Sequence, residues 1–246
     1  MKDRTGKYGK HIDMNNSENE EQEQQQNENP APIGVITAKP KHRIYCLNII
    51  GQVEGHSLLP PTQKTTKYEH VIPQLTIVEE DDTIEGLLVT LNTVGGDVEA
   101  GLAIAEMINS MTKPTVSLII GGGHSIGVPM AVAANYSFIT QSATMTLHPI
   151  RMTGLVIGAS QTYEYFDKVQ QQVMSFIERN SKVSAKQLNK LMSATGQISN
   201  DIGTILFGTE AVEKGIIDAV GGIRDAFGKL HGMIDGRKKK RKTKKS

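Results

Sequence analysis

The chain has one cysteine, Cys46, and no tryptophan among its 246 residues. A single thiol excludes an intrachain disulfide and any Cys-x-x-Cys metal or redox site. No long hydrophobic run is present either. The most apolar stretch, Val116 to Ile139, is interrupted by three consecutive glycines, His124, Pro129 and Asn135, which makes it too polar to span a bilayer. The first residues (MKDRTGKYGKHIDMNN) lack the apolar core of a secretory signal, so the expectation is a soluble, cytoplasmic protein. Net positive charge is missing from the chain outside its last ten residues. Eight of the ten residues from Arg237 to Ser246 are Lys or Arg, and without them the net charge falls from +1 to −7. A mildly acidic body argues against a nucleic-acid-binding domain, which needs basic residues on its folded surface.

The two ends of the chain are compositionally unlike its middle. Residues 15–30 (NNSENEEQEQQQNENP) contain no apolar side chain other than Pro30. Neither this stretch nor the basic end buries enough surface to offset the entropy of ordering it. The reading is a disordered polar tail at 1–31, one domain at 32–236 and a disordered basic tail at 237–246. The domain, at about 205 residues, is ample for a single well-buried core. The basic tail has the charge to attract an anionic membrane, at up to ~1 kcal/mol per residue near the surface. It suits non-specific nucleic-acid contact equally well, and a simply solvated tail is the plain alternative.

Within the domain, buried-type strands alternate with amphipathic helices. Arg43–Ile50 and Gly86–Leu91 are short apolar runs. Asn92–Gly96 (NTVGG) is a turn, and a helix is expected from Asp97, a suitable N-cap, to about Met111. Val116–Ile120 is the next strand, and Gly121–Ser125 (GGGHS) a second turn that opens a helix through Met130 and Ala134. Strands at Tyr136–Thr140 and Thr144–His148 follow, then the longest helix at about 161–179 and another from Ser184. The pattern of strand, glycine-rich turn and helix occurs twice.

Such a turn exposes backbone N–H groups beside the positive end of a helix, an arrangement that stabilises an anion. No Lys follows either glycine cluster and no G-x-G-x-x-G is present, so an oxyanion site is favoured over a nucleotide site and no cofactor or metal is expected. Gly123–His124–Ser125–Ile126–Gly127 matches G-x-S-x-G, the pattern that presents a serine hydroxyl on a sharp strand-to-helix turn. A structural serine capping the helix is the bland alternative. A nucleophilic serine needs a base. His124 is adjacent to it, but neighbouring side chains at a turn diverge; His148 closes a strand, where a sheet terminus can present it to a cleft.

These residues resemble the Clp protease proteolytic subunit family. Leu91–Gly101 (LNTVGGDVEAG) resembles its strand–NSPGG–helix block, Gly121–Gly127 its G-x-A-S-M-G-A serine block, and Met145–Pro149 its M-I-H-Q-P histidine block. Glu210–Asp218 (EAVEKGIID) is similar to its E-A-x-x-Y-G-L-I-D block. The four fall in family order over about Arg43 to Gly222, with the best fit to the family's variant translocation-enhancing branch. The resemblance implies an α/β, ClpP/crotonase-type fold of stacked strand–strand–helix units, with the 161–179 helix as a projecting handle. It implies homo-oligomeric rings that enclose a serine-type endopeptidase acting on peptides or unfolded polypeptides. Ser125 would be the nucleophile, His148 the general base, and the N–H groups of Gly96 and Ile126 the oxyanion hole. The family's third residue is an Asp; an ungapped match puts Gly203 there, and the nearest carboxylate, Asp201, is the candidate acid. A Ser–His dyad and an impaired enzyme are the alternatives. Leu87–Thr90 lacks the aromatics that help form the family's ATPase-docking pocket, which argues against docking a Clp-type ATPase there. Three other readings stay open. A ring-forming scaffold would have lost the chemistry, and a crotonase-type acyl-CoA enzyme would use only the oxyanion hole. An α/β-hydrolase is disfavoured because its histidine follows its acid.

Overall fold

The computed structural model describes residues 41–151, 158–198 and 201–243. Along the chain, β1 (Ile44–Glu54) and the short β2 (Thr65–Lys67) lead into α1 (Tyr68–Glu80). β3 (Gly86–Gly96) is followed by α2 (Val98–Ser110), and β4 (Thr115–Gly123) by α3 (Gly127–Val132). β5 (Tyr136–Ile139) and β6 (Thr144–Leu147) precede the long α4 (Ala159–Arg179) and α5 (Ala185–Met192). A hairpin of β7 (Thr195–Ile198) and β8 (Asp201–Ile202) comes next. Then follow β9 (Thr204–Phe207), α6 (Gly208–Glu213), β10 (Ala219–Val220) and α7 (Ile223–Thr243).

The expected α/β architecture is present. Six strands form a parallel ladder in the order β10-β5-β4-β3-β1-β2, and β6 joins β4 at its upper end while pairing antiparallel with β9. Central parallel strands are covered on both faces and therefore read as unbroken apolar runs. In β3, Leu87, Leu88, Val89 and Leu91 are all buried. On one face α1 contributes Val71, Leu75 and Val78, and α2 contributes Ile104, Ala105 and Ile108. On the other, Ala226, Leu230 and Ile234 of α7 pack on Leu88, Val116, Leu118 and Phe138. Asp97 caps α2 as the sequence indicates, its side chain accepting from the Ala100 N–H at 2.8 Å. α4 buries side chains only from Val173 onward.

Two helices depart from the sequence reading. α1 forms despite Pro73 within it, because Val71, Leu75 and Val78 recur at helical spacing and all reach the core. α7 forms despite Gly228, Gly232 and Gly236, each unfavourable by roughly 1 kcal/mol in a helix; the Ala226–Leu230–Ile234 stripe has a sheet face to cover. The helix also continues through residues 237–243, which corrects the reading of that segment as a disordered basic tail. Lys and Arg are good helix formers, and the first two are anchored: Arg237 donates to the Thr112 carbonyl and Lys238 pairs with Glu85. His42, buried, adds a brace, with Nδ1 3.2 Å from Glu85 and Nε2 3.0 Å from Asp235 of α7. Truncating Leu230 to Ala is expected to cost about 2–5 kcal/mol, read as a lower urea midpoint with an unchanged slope.

Candidate active site

The site is assembled where β3, β4 and β6 end. β3 finishes in Gly95 and Gly96, and Gly95, at φ +90°, lies so close to Ser125 that an added Cβ would sit 2.6 Å from the serine Cβ. Only glycine permits that approach. In the ladder, Val53 of β1 accepts from the Asp97 N–H at 3.0 Å and is paired with Gly96. Parallel pairing alternates the direction of backbone groups, so the Gly96 N–H is directed away from β1. β4 ends at Gly123, and the chain turns through His124 and Ser125 into α3.

Ser125 is the one non-glycine residue of positive φ, at +57°, among the described residues. That conformation costs an L-residue roughly 1–2 kcal/mol. It is held by the Ser125 N–H donating to the Thr146 carbonyl at 2.8 Å, and by the Val128 N–H donating to the Ser125 carbonyl at 3.0 Å. The plain helix-cap reading of the serine does not describe what is seen. The capping position of α3 is Ile126, and no side chain caps that end. The Ile126 N–H has no acceptor among the described residues, and its side chain is wedged against Gly101 of α2.

Ser125, Ile126, Gly96 and His148 line one cavity of about 200 Å³. Its remaining wall is aliphatic, including Val98, Val128, Leu147, Val173, Ile177 and Met192, with Arg151 also contributing. No hydrogen bond joins Ser125 Oγ to His148 among the described residues. The imidazole is half-buried, and its Nδ1–H donates to the Pro149 carbonyl at 2.7 Å. That bond leaves the Nε2 lone pair unprotonated in the neutral ring.

His124 lies outside the cavity lining, with its Nδ1 2.8 Å from Thr146 Oγ1. Burial, and secondarily the nearby His148, hold its pKa below the ordinary histidine value. The unfolded chain therefore binds more protons at this position. Stability should accordingly decline as pH falls below about 6.5, the unfolded value, and level off once the depressed folded value is passed. His124→Gln is expected to flatten that part of a melting-temperature profile between about pH 7.5 and 5.

The position that an ungapped match to the resembled family would give the acid is filled differently. Gly203 is the residue in contact with His148, at φ +137°, and a Cβ there would lie 2.4 Å from the Leu147 carbonyl oxygen and 2.9 Å from His148 Cβ. No side chain, carboxylate or otherwise, fits on that backbone. Asp201 stands in β8, paired across the hairpin with Ile198; its side chain lies outside the described residues. Sequence reading missed Thr146, which holds the serine turn, and Gln170, whose Oε1 accepts from the Ile150 N–H at 2.8 Å beside the site. The one local signal was the His148–Pro149 dipeptide, since a proline fixes its own φ and restricts the residue before it. Among the described residues there is no cluster of His, Cys, Asp and Glu suited to a metal ion, and no helix long and apolar enough to cross a membrane.

The Clp protease family model matches residues 45–224. The translocation-enhancing protein TepA of Halalkalibacterium halodurans is 60% identical over 192 residues, covering 78% of this chain and 75% of that protein. An ATP-dependent Clp protease proteolytic subunit of Leuconostoc citreum is 26% identical over 142 residues, covering 57% of this chain and 64% of its own length. Among solved structures, a variant of ClpP1 from Listeria monocytogenes superposes with a TM-score of 0.59 at 20% identity, over 74% of this chain and 93% of that one.

Proposed function

Because the chain belongs to the Clp protease family, we propose that it is a serine peptidase that cleaves peptides or unfolded polypeptides inside a homo-oligomeric ring. The observation that carries this reading is the strained Ser125 facing a cavity shared with His148. Backbone strain of this kind persists only where the surroundings over-determine it, and it collects at functional sites. Ser125 Oγ attacks the scissile carbonyl carbon as its proton passes to His148 Nε2. The oxyanion is received by the N–H groups of Gly96 and Ile126. The imidazolium then returns the proton to the leaving amine as the C–N bond breaks, and water releases the acyl group by the same route reversed. A pocket of about 200 Å³ with aliphatic walls suits one apolar side chain of the substrate, being smaller than the sites that hold whole ligands.

Ring assembly is supported by the sheet face that α7 leaves uncovered. Ile50 of β1 and Ile120 of β4 are exposed there on either side of Asn92, with Phe207 of β9 also exposed. The relative named for enhancing translocation leads us to place the substrates among polypeptides being exported or processed. One observation favours a second reading, a ring without chemistry: Ser125 and His148 are not hydrogen-bonded, and glycine fills the acid position.

A fluorophosphonate probe separates the two readings. The full-length protein should be labelled, Ser125→Ala should not be, and His148→Ala should label at least about 10²-fold more slowly. Folded wild-type protein that stays unlabelled beside a reactive control hydrolase would rule out the peptidase in favour of the scaffold.

A further inference from the structure

We infer that His148 is oriented by a neutral main-chain relay, in which Gln170 fixes the Pro149–Ile150 peptide and the Pro149 carbonyl holds His148 Nδ1–H. This rests on the reading of Ser125 and His148 as nucleophile and base. It assigns Gln170, on α4, as a positioning residue for that pair.

The geometry forms one continuous chain. Gln170 Oε1 accepts from the Ile150 N–H at 2.8 Å, and the Pro149 carbonyl accepts from His148 Nδ1–H at 2.7 Å. The Ile150 N–H and the Pro149 C=O belong to one trans peptide unit, which is a rigid plane with its two polar bonds pointing in opposite directions. Holding the N–H therefore aims the C=O. The remaining freedom is removed by sequence. Proline fixes φ at position 149 and confines His148 to extended backbone, so the Gln170 bond settles the one soft angle left, ψ of Pro149. Donation from the N–H to Gln170 also polarises the peptide and strengthens its carbonyl as an acceptor.

The amide of Gln170 is itself orientated. Its oxygen must face the Ile150 donor, and its Nε2 donates to Met192 Sδ at 3.5 Å, on the cavity wall. The relay occupies the role that an acid would fill. An orienting carboxylate mainly holds the base in the correct tautomer, and a carbonyl that accepts from Nδ1–H holds the same tautomer. At position 203, beside His148, there is no room for an acid. During acylation the Nδ1 proton stays on the ring and only the Ser125 proton moves, to Nε2. The carbonyl steadies the imidazolium through its dipole, less strongly than a full negative charge would.

The test uses the full-length protein carrying imidazole-15N histidine, with Gln170→Met (similar length, no oxygen acceptor) and Gln170→Glu (acceptor kept). Two readouts are taken: the nitrogen shifts of His148, assigned by difference from His148→Gln, and labelling and peptide-cleavage kinetics. In the wild type His148 should show a single Nδ1–H tautomer. Gln170→Met should turn this into a tautomer mixture and lower both the labelling rate and kcat about tenfold, with KM within about twofold. Gln170→Glu should restore the single tautomer and most of the rate. The relay is overturned if Gln170→Met changes neither tautomer nor rate. It is equally overturned if Asp201→Asn alone costs about 10³-fold or more, as expected of an orienting carboxylate. The two hypotheses fail separately. A His148 tautomer that answers to Gln170 in a protein that never labels keeps the relay and removes the peptidase; robust labelling indifferent to Gln170 does the reverse.

Discussion

Replacing Ser125 by glycine should abolish peptide cleavage while giving a more stable protein than replacing it by alanine. Loss of a nucleophilic serine costs up to ~10⁶-fold in kcat where it acts with its base as a unit, so no turnover above background is expected from either variant. Stability should divide them. In a regular helix or strand, glycine is about 0.5–1 kcal/mol worse than alanine. At φ +57° the order inverts, because the alanine Cβ keeps the left-handed penalty of roughly 1–2 kcal/mol and glycine has none. The measurement is a pair of denaturant titrations beside a cleavage assay. Ser125→Gly less stable than Ser125→Ala would mean the serine is not strained. Ser125 would then carry no conformational mark of an activated nucleophile.

The second large effect is expected at Gly203, the place where the family pattern has its acid. Gly203→Asp should not restore a triad. The backbone there lies in the left-handed region, and the first side-chain atom would meet the Leu147 carbonyl oxygen at 2.4 Å. Strain of about 1–3 kcal/mol from the dihedral adds to about 1–3 kcal/mol from overpacking. A drop in melting temperature on the order of 10 °C follows for a domain of this size. Relief of the clash must move Leu147 or His148, so labelling of Ser125 should fall as well. Gly203→Ala separates the causes: it keeps the clash without adding charge and should be nearly as damaging. A Gly203→Asp protein that folds normally and labels faster than the wild type would show that the acid position is open, and that no relay is needed.

Both expectations turn on details that the sequence discloses unequally. The first strand, and the order of strands and helices from β3 to α5, were legible because buried parallel strands are written as apolar runs and their turns as glycines. Ser125 could be nominated from its glycine-flanked turn and His148 from its place at a strand end, whereas their roles, and Gly96 and Ile126 as oxyanion donors, came with the resemblance to the Clp family. Of the two nearby histidines, His148 was favoured by the divergence of neighbouring side chains and by the resemblance to the family's histidine block; in the folded chain His148 lines the cavity that Ser125 also lines, and His124 lies against Thr146.

Other features depended on partners far along the chain. α7 has three glycines and a highly charged end, and nothing within residues 223–243 announces a helix; it forms because Ala226, Leu230 and Ile234 meet Leu88, Val116 and Phe138. α1 survives its proline for the same reason, an apolar stripe with a core to enter. Gln170 is one glutamine among several on α4, and its position opposite the Ile150 N–H arises only when α4 folds back over the end of β6. The strand–turn–helix plan, the serine turn and the absence of disulfide chemistry are written in the order of residues, since they rest on local conformational preference and side-chain chemistry. The covering of the sheet by α7, the exclusion of a side chain at position 203 and the partner of His148 come from the folded chain, because each depends on distances between segments that no local pattern encodes.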